Sequence, residues 1–432
     1  MGHAATAVRV IAVLCAAALA AAAPAAAAPR ATSTYGSQRV CTTGQVRCMA
    51  LVRTRDGRRI HAASPFLLPS GMGPADYHAA YGLPTLTPLK SGSTTAHRPI
   101  TVAIVDAWDY AYAYSDLTTY SQTYGLPVLP KCSSTITTSC FQKINMGAPA
   151  GSARSTGWYI EMDLDIQTVH AICQNCKIVL VEAASDDGYV MANAVNRAAR
   201  AASIVSNSYG SYDIDGSLGS VDGAYNHPNK AIVVSSGDAG YDVSWPASLN
   251  TVVTVGGTSL HMNADGTYGG ETVWGPPTIQ NSGGTGSGCA NGASGLYPAV
   301  PAQPFQTGVA NWAATGCGTS RGDNDVSAVA DPDTGAAIYT HWDGWWTVGG
   351  TSLSAPLIAG VFALKGNATS VPYPASLLYA KAGTSAFNDI TTGSNDTGVA
   401  AVPCDHRTTA CTAAPGYDLP TGVGTPHGIG GF

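Results

Sequence analysis

The stretch Val348–Lys365, VGGTSLSAPLIAGVFALK, decides how the rest of the chain is read. Gly349 and Gly350 permit a sharp bend from a strand into a helix. Ser352 follows at the helix mouth, where backbone amides lack intrahelical acceptors and can hold a developing negative charge. The apolar run after Ser354 is long enough for a buried helix. A serine presented this way is a candidate nucleophile. The hexamer VGGTSL recurs at Val255–Leu260, but Ser259 leads into HMNADGTYGG, which reads as strand and turn. Ser352 is therefore the candidate.

A nucleophilic serine needs a base. The chain has 10 His, yet none stands in a His-Gly-Thr setting, and the one His-Gly pair, His427 with Gly428, lies near the C-terminus. Carboxylates are better placed. In GWYIEMDLDIQTVHAI, from Gly157 to Ile172, the apolar positions Ile160 and Leu164 keep helical spacing, which puts Glu161 and Asp165 on one face. Only three of the 27 acidic residues are Glu, so this pair is not the by-product of a generally acidic surface. Asp163 lies between them and points elsewhere. The competing explanation is a solvated, acidic helix end. A third carboxylate, Asp238, sits in a Ser-Ser-Gly-Asp-Ala-Gly turn at the carboxyl end of the buried strand AIVVS, where open α/β sheets collect their chemistry. An Asx-type turn is the alternative there.

Together these motifs resemble the sedolisin family, the serine-carboxyl peptidases, in its secreted bacterial form. The resemblance is carried by Glu161 and Asp165 in EMDLD, Asp238 in SSGDAG, the PAS and VGGTSL stretch after it, and Ser352 in GGTSLSAP. It runs from about Pro74, through PADYHAAYGLP, to the C-terminus. It implies a subtilisin-like three-layer α/β fold, with a central, mostly parallel sheet and helices on both faces. It further implies Ser352 as nucleophile, Glu161 as its general base, Asp165 as the residue that orients Glu161, and Asp238 as an oxyanion donor. Asp238 can donate only when protonated, so activity in acid is expected. A rival Asp-His-Ser set could be drawn from Asp106, His170 and Ser352, although His170 sits in an apolar context, TVHAI.

Near the C-terminus, FNDITTG and AAPGYDLPTGVGTP carry Asp389 and Asp418 in Gly- and Thr-rich loops. Loops of this kind suit hard cations, and turn capping is the plainer explanation. The resemblance implies one structural calcium ion, held by the side chains of Asp389 and Asp418 and the backbone carbonyls of Ile390, Ala414 and Gly416. Ala414 stands where glycine is usual.

The first 28 residues, with one Arg, an apolar run over Val10–Ala23 and an Ala-rich end, read as a secretory signal with cleavage near Ala28. The run is too short for a membrane anchor. Cys15 leaves with it, and the other ten cysteines fall in neighbouring pairs: Cys41 with Cys48, Cys132 with Cys140, Cys173 with Cys176, Cys289 with Cys317, and Cys404 with Cys411. Five local disulfides are the simplest arrangement in an oxidising compartment, with other connectivities open. A net charge of −6 with 11% charged residues excludes a basic nucleic-acid surface. Strands such as TVAIVD, KIVLVEA and TVVTVGG alternate with helical stretches, giving one α/β domain over 74–432. Residues 29–73 are much shorter than a sedolisin prodomain. They read as a short pro-segment, cut near RTRDGRR at Arg53–Arg59, or as a disulfide-tied arm. The expected protein is a secreted monomer acting on protein or peptide substrates; the alternatives are a Ser-His-Asp peptidase and a non-catalytic binding protein on the same fold.

Overall fold

A computed structural model describes residues 1–2, 35–62, 69–84, 100–136, 139–212, 217–275, 283–292, 298–396, 404–405 and 407–432. The signal expected over residues 1–28 lies outside the described residues, apart from the first two.

The chain enters through an arm whose first three short strands are β1 (Tyr35–Arg39), β2 (Arg47–Cys48) and β3 (Leu51–Arg55). The central sheet begins with β4 (Thr101–Ala107) and β5 (Phe141–Asn145). Helix α1 (Trp158–Ile172) leads to β6 (Lys177–Ala183), and α2 (Gly188–Ala201) to β7 (Ile204–Asn207) and the two-residue β8 (Tyr209–Gly210). Then come β9 (Ala231–Ser235), β10 (Val253–Met262), β11 (Tyr268–Val273), β12 (Val326–Val329), β13 (Ala336–Thr340), β14 (Gly344–Gly349) and α3 (Thr351–Lys365).

The main sheet runs β11-β10-β9-β7-β4-β6-β5, with β12 also on β10. Every pairing in it is parallel except β10 with β11. The cause is legible in the strands: TVAIVDA and KIVLVEA are continuous apolar runs, buried on successive residues, as strands covered on both faces must be. Helix α2 packs on β4 and β6, and α1 and α3 pack against one another and across the sheet. The α1–α3 crossing is close: a Cβ on Gly360 would lie 2.7 Å from the Ile172 side chain. The strand order reverses between β4 and β7, so the crevice outside their carboxyl ends is the topological switch point.

The arm is part of this body. Strand β3 pairs antiparallel with β1 and with β14, and β2 pairs antiparallel with β8. The five local disulfides are those expected from neighbouring cysteines. Cys173 and Cys176, three residues apart, are among them. Among the described residues no helix is long and apolar enough to cross a membrane.

Candidate active site

Ser352 lies on the first turn of α3, directly after the β14 strand. The bend works through Gly350, whose φ of 95° a side chain would strain and whose missing Cβ leaves room for the backbone of Met49. Four residues on, Pro356 has no N–H to give the Ser352 carbonyl, which lies instead 3.5 Å from the Ser208 hydroxyl. The Ser352 hydroxyl donates to the Ser208 carbonyl oxygen at 3.2 Å.

Every residue of α1 is buried, so the solvated acidic helix end is ruled out. Its polar residues split by face. Gln167 clasps the Tyr339 backbone at 2.7 and 2.9 Å, and Asp163 lies against Asp116 and Tyr110. Glu161 and Asp165 face the mouth of α3. Asp165 Oδ1 accepts from the Ser208 hydroxyl at 2.7 Å. Glu161 stands near enough to Ser352 for the hydroxyl to favour its charged form, yet neither of its oxygens has a partner in good geometry. Bonds of this kind often tighten only when a reacting group enters.

Asp106, at the end of β4, joins them: it is buried, neither oxygen has a partner, and it acts electrostatically on both Glu161 and Asp165. Burial pushes the pKa of Glu161 up, with Asp165 and then Asp106 adding to it. Burial also raises Asp165, with Asp106 second, and raises Asp106 itself, with Glu182 second. Carboxyls packed this closely cannot all ionise, so the cluster holds protons in common.

Asp238 closes the site from the opposite side. Its Oδ1 accepts from the Thr351 amide at 2.8 Å and the Thr351 hydroxyl at 2.9 Å, while Oδ2 has no partner. Burial pushes its pKa up to about 6, against the opposing pull of Arg39 and the Thr351 bonds. Arg39 reaches the Asp238 carbonyl at 3.1 Å. Below that pH the carboxyl is neutral and owns a proton to donate.

The rival set does not assemble. His170 is buried on α1 with its Nε2 2.9 Å from the Pro127 carbonyl oxygen, and burial lowers its pKa to about 4. Ser259, in the second VGGTSL, lies on β10 and donates to Asp331 at 2.6 Å. Sequence reasoning overlooked Ser208 and Thr351, which tie Asp165 and Asp238 to the serine. Ser208 follows β7 in SIVSNSYG, and the strand-end rule that selected Asp238 would have found it.

The profile of the subtilase family, the peptidase S8 domain, matches residues 148–370, just over half of the chain, a span that contains Glu161, Asp165, Asp238 and Ser352. The chain belongs to the subtilase family. Within it, the sedolisin resemblance read from the motifs holds. The subtilase is 32% identical over 290 residues to kumamolisin of Bacillus sp. (strain MN-32), covering 62% of this chain and 49% of that protein. It is 32% identical over 212 residues to sedolisin of Pseudomonas sp. (strain 101), covering 44% and 32%. The chain thus spans half or less of the length of these curated relatives. Among solved structures, Pseudomonas sedolisin, a serine-carboxyl proteinase in complex with pseudo-iodotyrostatin, superposes with a TM-score of 0.63 at 23% identity, over 84% of this chain and 96% of that one. That likeness establishes the subtilisin-like fold.

The two C-terminal acidic loops also meet in this subtilase. The Gly416 amide donates to Asp389 Oδ2 at 2.9 Å, and the Ala414 amide to Asp418 Oδ2 at 3.0 Å. Asp418 is buried, its other oxygen held by the Thr421 amide and hydroxyl at 2.9 and 2.8 Å. Among the described residues no group of three or more His, Cys, Asp or Glu is placed to hold a metal ion. A cation here would draw on two mutually repelling carboxylates and neighbouring backbone carbonyls, an all-oxygen set that fits a hard cation such as calcium and not a metal that wants thiolate or imidazole ligands.

Proposed function

We propose that this subtilase is a secreted serine-carboxyl peptidase that hydrolyses peptide bonds in acid. The observation that carries the reading is that Ser352 shares its buried crevice with Glu161, Asp165 and Asp238, while among the described residues no histidine bonds to Ser352. The Ser352 hydroxyl attacks the substrate carbonyl as Glu161 takes its proton. Asp165, fixed by Ser208, shares a proton with Glu161 and so holds it toward the serine. The oxyanion is met by the Ser352 amide and the Asp238 proton, donors fixed before the reaction starts. On collapse Glu161 returns its proton to the leaving amine, and water reverses the steps on the ester. The productive state has Asp238 neutral and one proton missing from the Glu161–Asp165 pair, so that Glu161 can take the proton of Ser352; loss of the Asp238 proton then sets the alkaline edge of activity. Export is supported by the leader sequence and by five disulfides.

The test is cleavage of an unstructured protein between pH 3 and 8. Activity should fall along an alkaline limb near pH 6, where Asp238 loses its proton. A maximum at pH 8, with no loss on rising through 6, would remove Asp238 from the oxyanion site and point to a different base.

The same resemblance supports one structural calcium ion on Asp389, Asp418 and the carbonyls of Ile390, Ala414 and Gly416. When bound, the ion supplies no chemistry to the distant serine; it neutralises two facing carboxylates. Chelation at pH 6 is expected to lower Tm by roughly 5 °C or more, with added calcium restoring it, and Asp418→Asn to abolish the response. A Tm indifferent to both chelator and calcium would refute the ion.

A further inference from the structure

A carboxyl that donates to an oxyanion must be held in one place, and the turn that carries Asp238 is fixed atom by atom. Gly237 and Asp238 lie just beyond β9, and each of their backbone polar groups has a partner. The Gly286 amide donates to the Gly237 carbonyl at 2.7 Å. The Gly284 amide and the Arg39 guanidinium donate to the Asp238 carbonyl at 3.3 and 3.1 Å. The two amides are taken by side chains. That of Gly237 donates to the Thr351 hydroxyl oxygen at 3.0 Å, and that of Asp238 to the Tyr212 phenol oxygen at 2.8 Å. A buried amide without an acceptor is costly, so these two bonds decide how the turn sits. Thr351 adjoins the nucleophile and already bonds the Asp238 carboxyl; Tyr212 has had no role so far.

Tyr212 is brought to this amide by an anchor of its own. The residue before it, Ser211, follows β8 and exchanges two backbone hydrogen bonds with Trp245, at 2.8 and 3.0 Å. The phenol then fills the space a side chain on Gly237 would need: a Cβ there would overlap the hydroxyl. Gly237 is also at φ 107°, so the glycine answers two demands at once. Arg39, Asp238 and Asp242 are the charged groups that act on the phenol. Burial, the largest influence, pushes its pKa up against Arg39, with the two carboxyls adding to the rise, so the hydroxyl stays neutral through the acid range. Its own proton faces the Met49 Sδ at 4.0 Å, a weak acceptor. The strong bond Tyr212 makes is the one it accepts from Asp238.

Resting on the function proposed above, we infer that Tyr212 is a positioning residue for the oxyanion donor: its hydroxyl holds the Asp238 amide, and through it the turn that aims Asp238 Oδ2 at the oxyanion. Oδ1 is pinned by the Thr351 amide and hydroxyl at 2.8 and 2.9 Å, so the carboxyl moves only together with the backbone that carries it. Oδ2 has no partner and borders the bare Cα of Gly350, where a Cβ would lie 2.9 Å away. Its proton therefore stands beside the start of α3, where the Ser352 amide is the other donor. What a fixed dipole contributes depends on its being in place before charge develops, and a misplacement of about 1 Å is enough to cost on the order of 10²-fold in rate. Tyr212 acts on the reaction through Asp238, at the moment the oxyanion forms.

The test is a double-mutant cycle on the full chain, with Tyr212→Phe, Asp238→Ala and the two combined, read as kcat and KM on an unstructured peptide at pH 4. Tyr212→Phe keeps the ring and removes only the acceptor. It is expected to lower kcat by roughly 10- to 100-fold with KM changed by less than about twofold. Asp238→Ala should lower kcat on the order of 10²- to 10³-fold. Adding Tyr212→Phe to it should cost less than about twofold more, because a hydroxyl that acts through a carboxyl has nothing to position once that carboxyl is gone. Losses that multiply in the double variant, or a loss confined to KM, overturn the inference and make Tyr212 a general support or a substrate contact. A Tyr212→Phe enzyme as fast as the wild type, beside an impaired Asp238→Ala, also overturns it while the reading of Asp238 stands. If Asp238→Ala is itself as fast as the wild type, or the wild type cuts nothing between pH 3 and 8, the proposed function fails and the inference falls with it.

Discussion

Ser352→Ala is expected to lower kcat on an unstructured protein at pH 4 by on the order of 10⁶-fold, and Glu161→Gln to come within about tenfold of that loss. The double variant should be no slower than Ser352→Ala alone. Groups that move one proton in concert fail together, because a base without its nucleophile and a nucleophile without its base leave the same residual reaction. Asp165→Asn should cost less, on the order of 10⁴-fold, since it leaves Glu161 in place and removes the shared proton and the Ser208 bond that position it. Ser208 supplies a control: Ser208→Ala removes the donor to Asp165 and spares the backbone carbonyl that Ser352 meets. If Glu161→Gln keeps more than a tenth of wild-type activity while Ser352→Ala is dead, the serine is right and the base is wrong.

Raising the pH from 4 to 8 is expected to destabilise this subtilase, the reverse of the usual behaviour of a protein rich in ion pairs. A carboxyl whose folded pKa is raised binds its proton more tightly in the native state. Its stabilisation is complete below the unfolded pKa of about 4 and is lost as pH rises through the folded value. Asp238 is pushed up to about 6, Glu182 to about 7 and Asp323 to about 8, each chiefly by burial. Glu161, Asp165, Asp106 and Asp163 move in the same direction. Asp238 alone is worth roughly 3 kcal/mol across that range. His170 works against the trend: lowered to about 4, it costs stability as pH falls below about 6.5. Asp109, held down to about 2 by hydrogen bonds led by Lys143 despite its burial, matters only below pH 4. His227, also lowered chiefly by burial, opposes the trend with His170, and two histidines against these seven carboxyls still leave acid the winner. Thermal unfolding of Ser352→Ala, which cannot digest itself, should show Tm lower by roughly 10 °C or more at pH 8 than at pH 4, and Asp238→Asn should reduce that slope. A Tm that is flat or rises over this range would mean that the cluster is hydrated in solution.

The residues of the site were legible in the sequence because each is announced by a rule acting over a few positions. Two glycines before a serine, a Glu and an Asp one helical turn apart, and an Asp among small residues after a buried strand are local statements. The disulfides were legible for the same reason, as their partners are neighbours. Burial of the acidic helix was harder to read: charge in EMDLD argues for solvent, and only the packing of α3 and the sheet against α1 overrules it.

What the sequence by itself determined, then, is the parallel α/β body, the serine at its bend and the identity of the three carboxyls that meet it. Only the tertiary structure decided that Asp106, from a strand about fifty residues earlier, joins Glu161 and Asp165, and that Ser208 ties Asp165 to the serine. It alone decided that the arm lies across Ser352, with the Met49 carbonyl on the Ser352 amide. The physical reason is that the arm is held by backbone ladders to β8 and β14. Every extended segment carries the same pattern of N–H and C=O groups, so nothing in residues 46–52 names the edge it will meet. Register and partner are fixed only when the sheet edges and the Gly350 bend have been brought together in space.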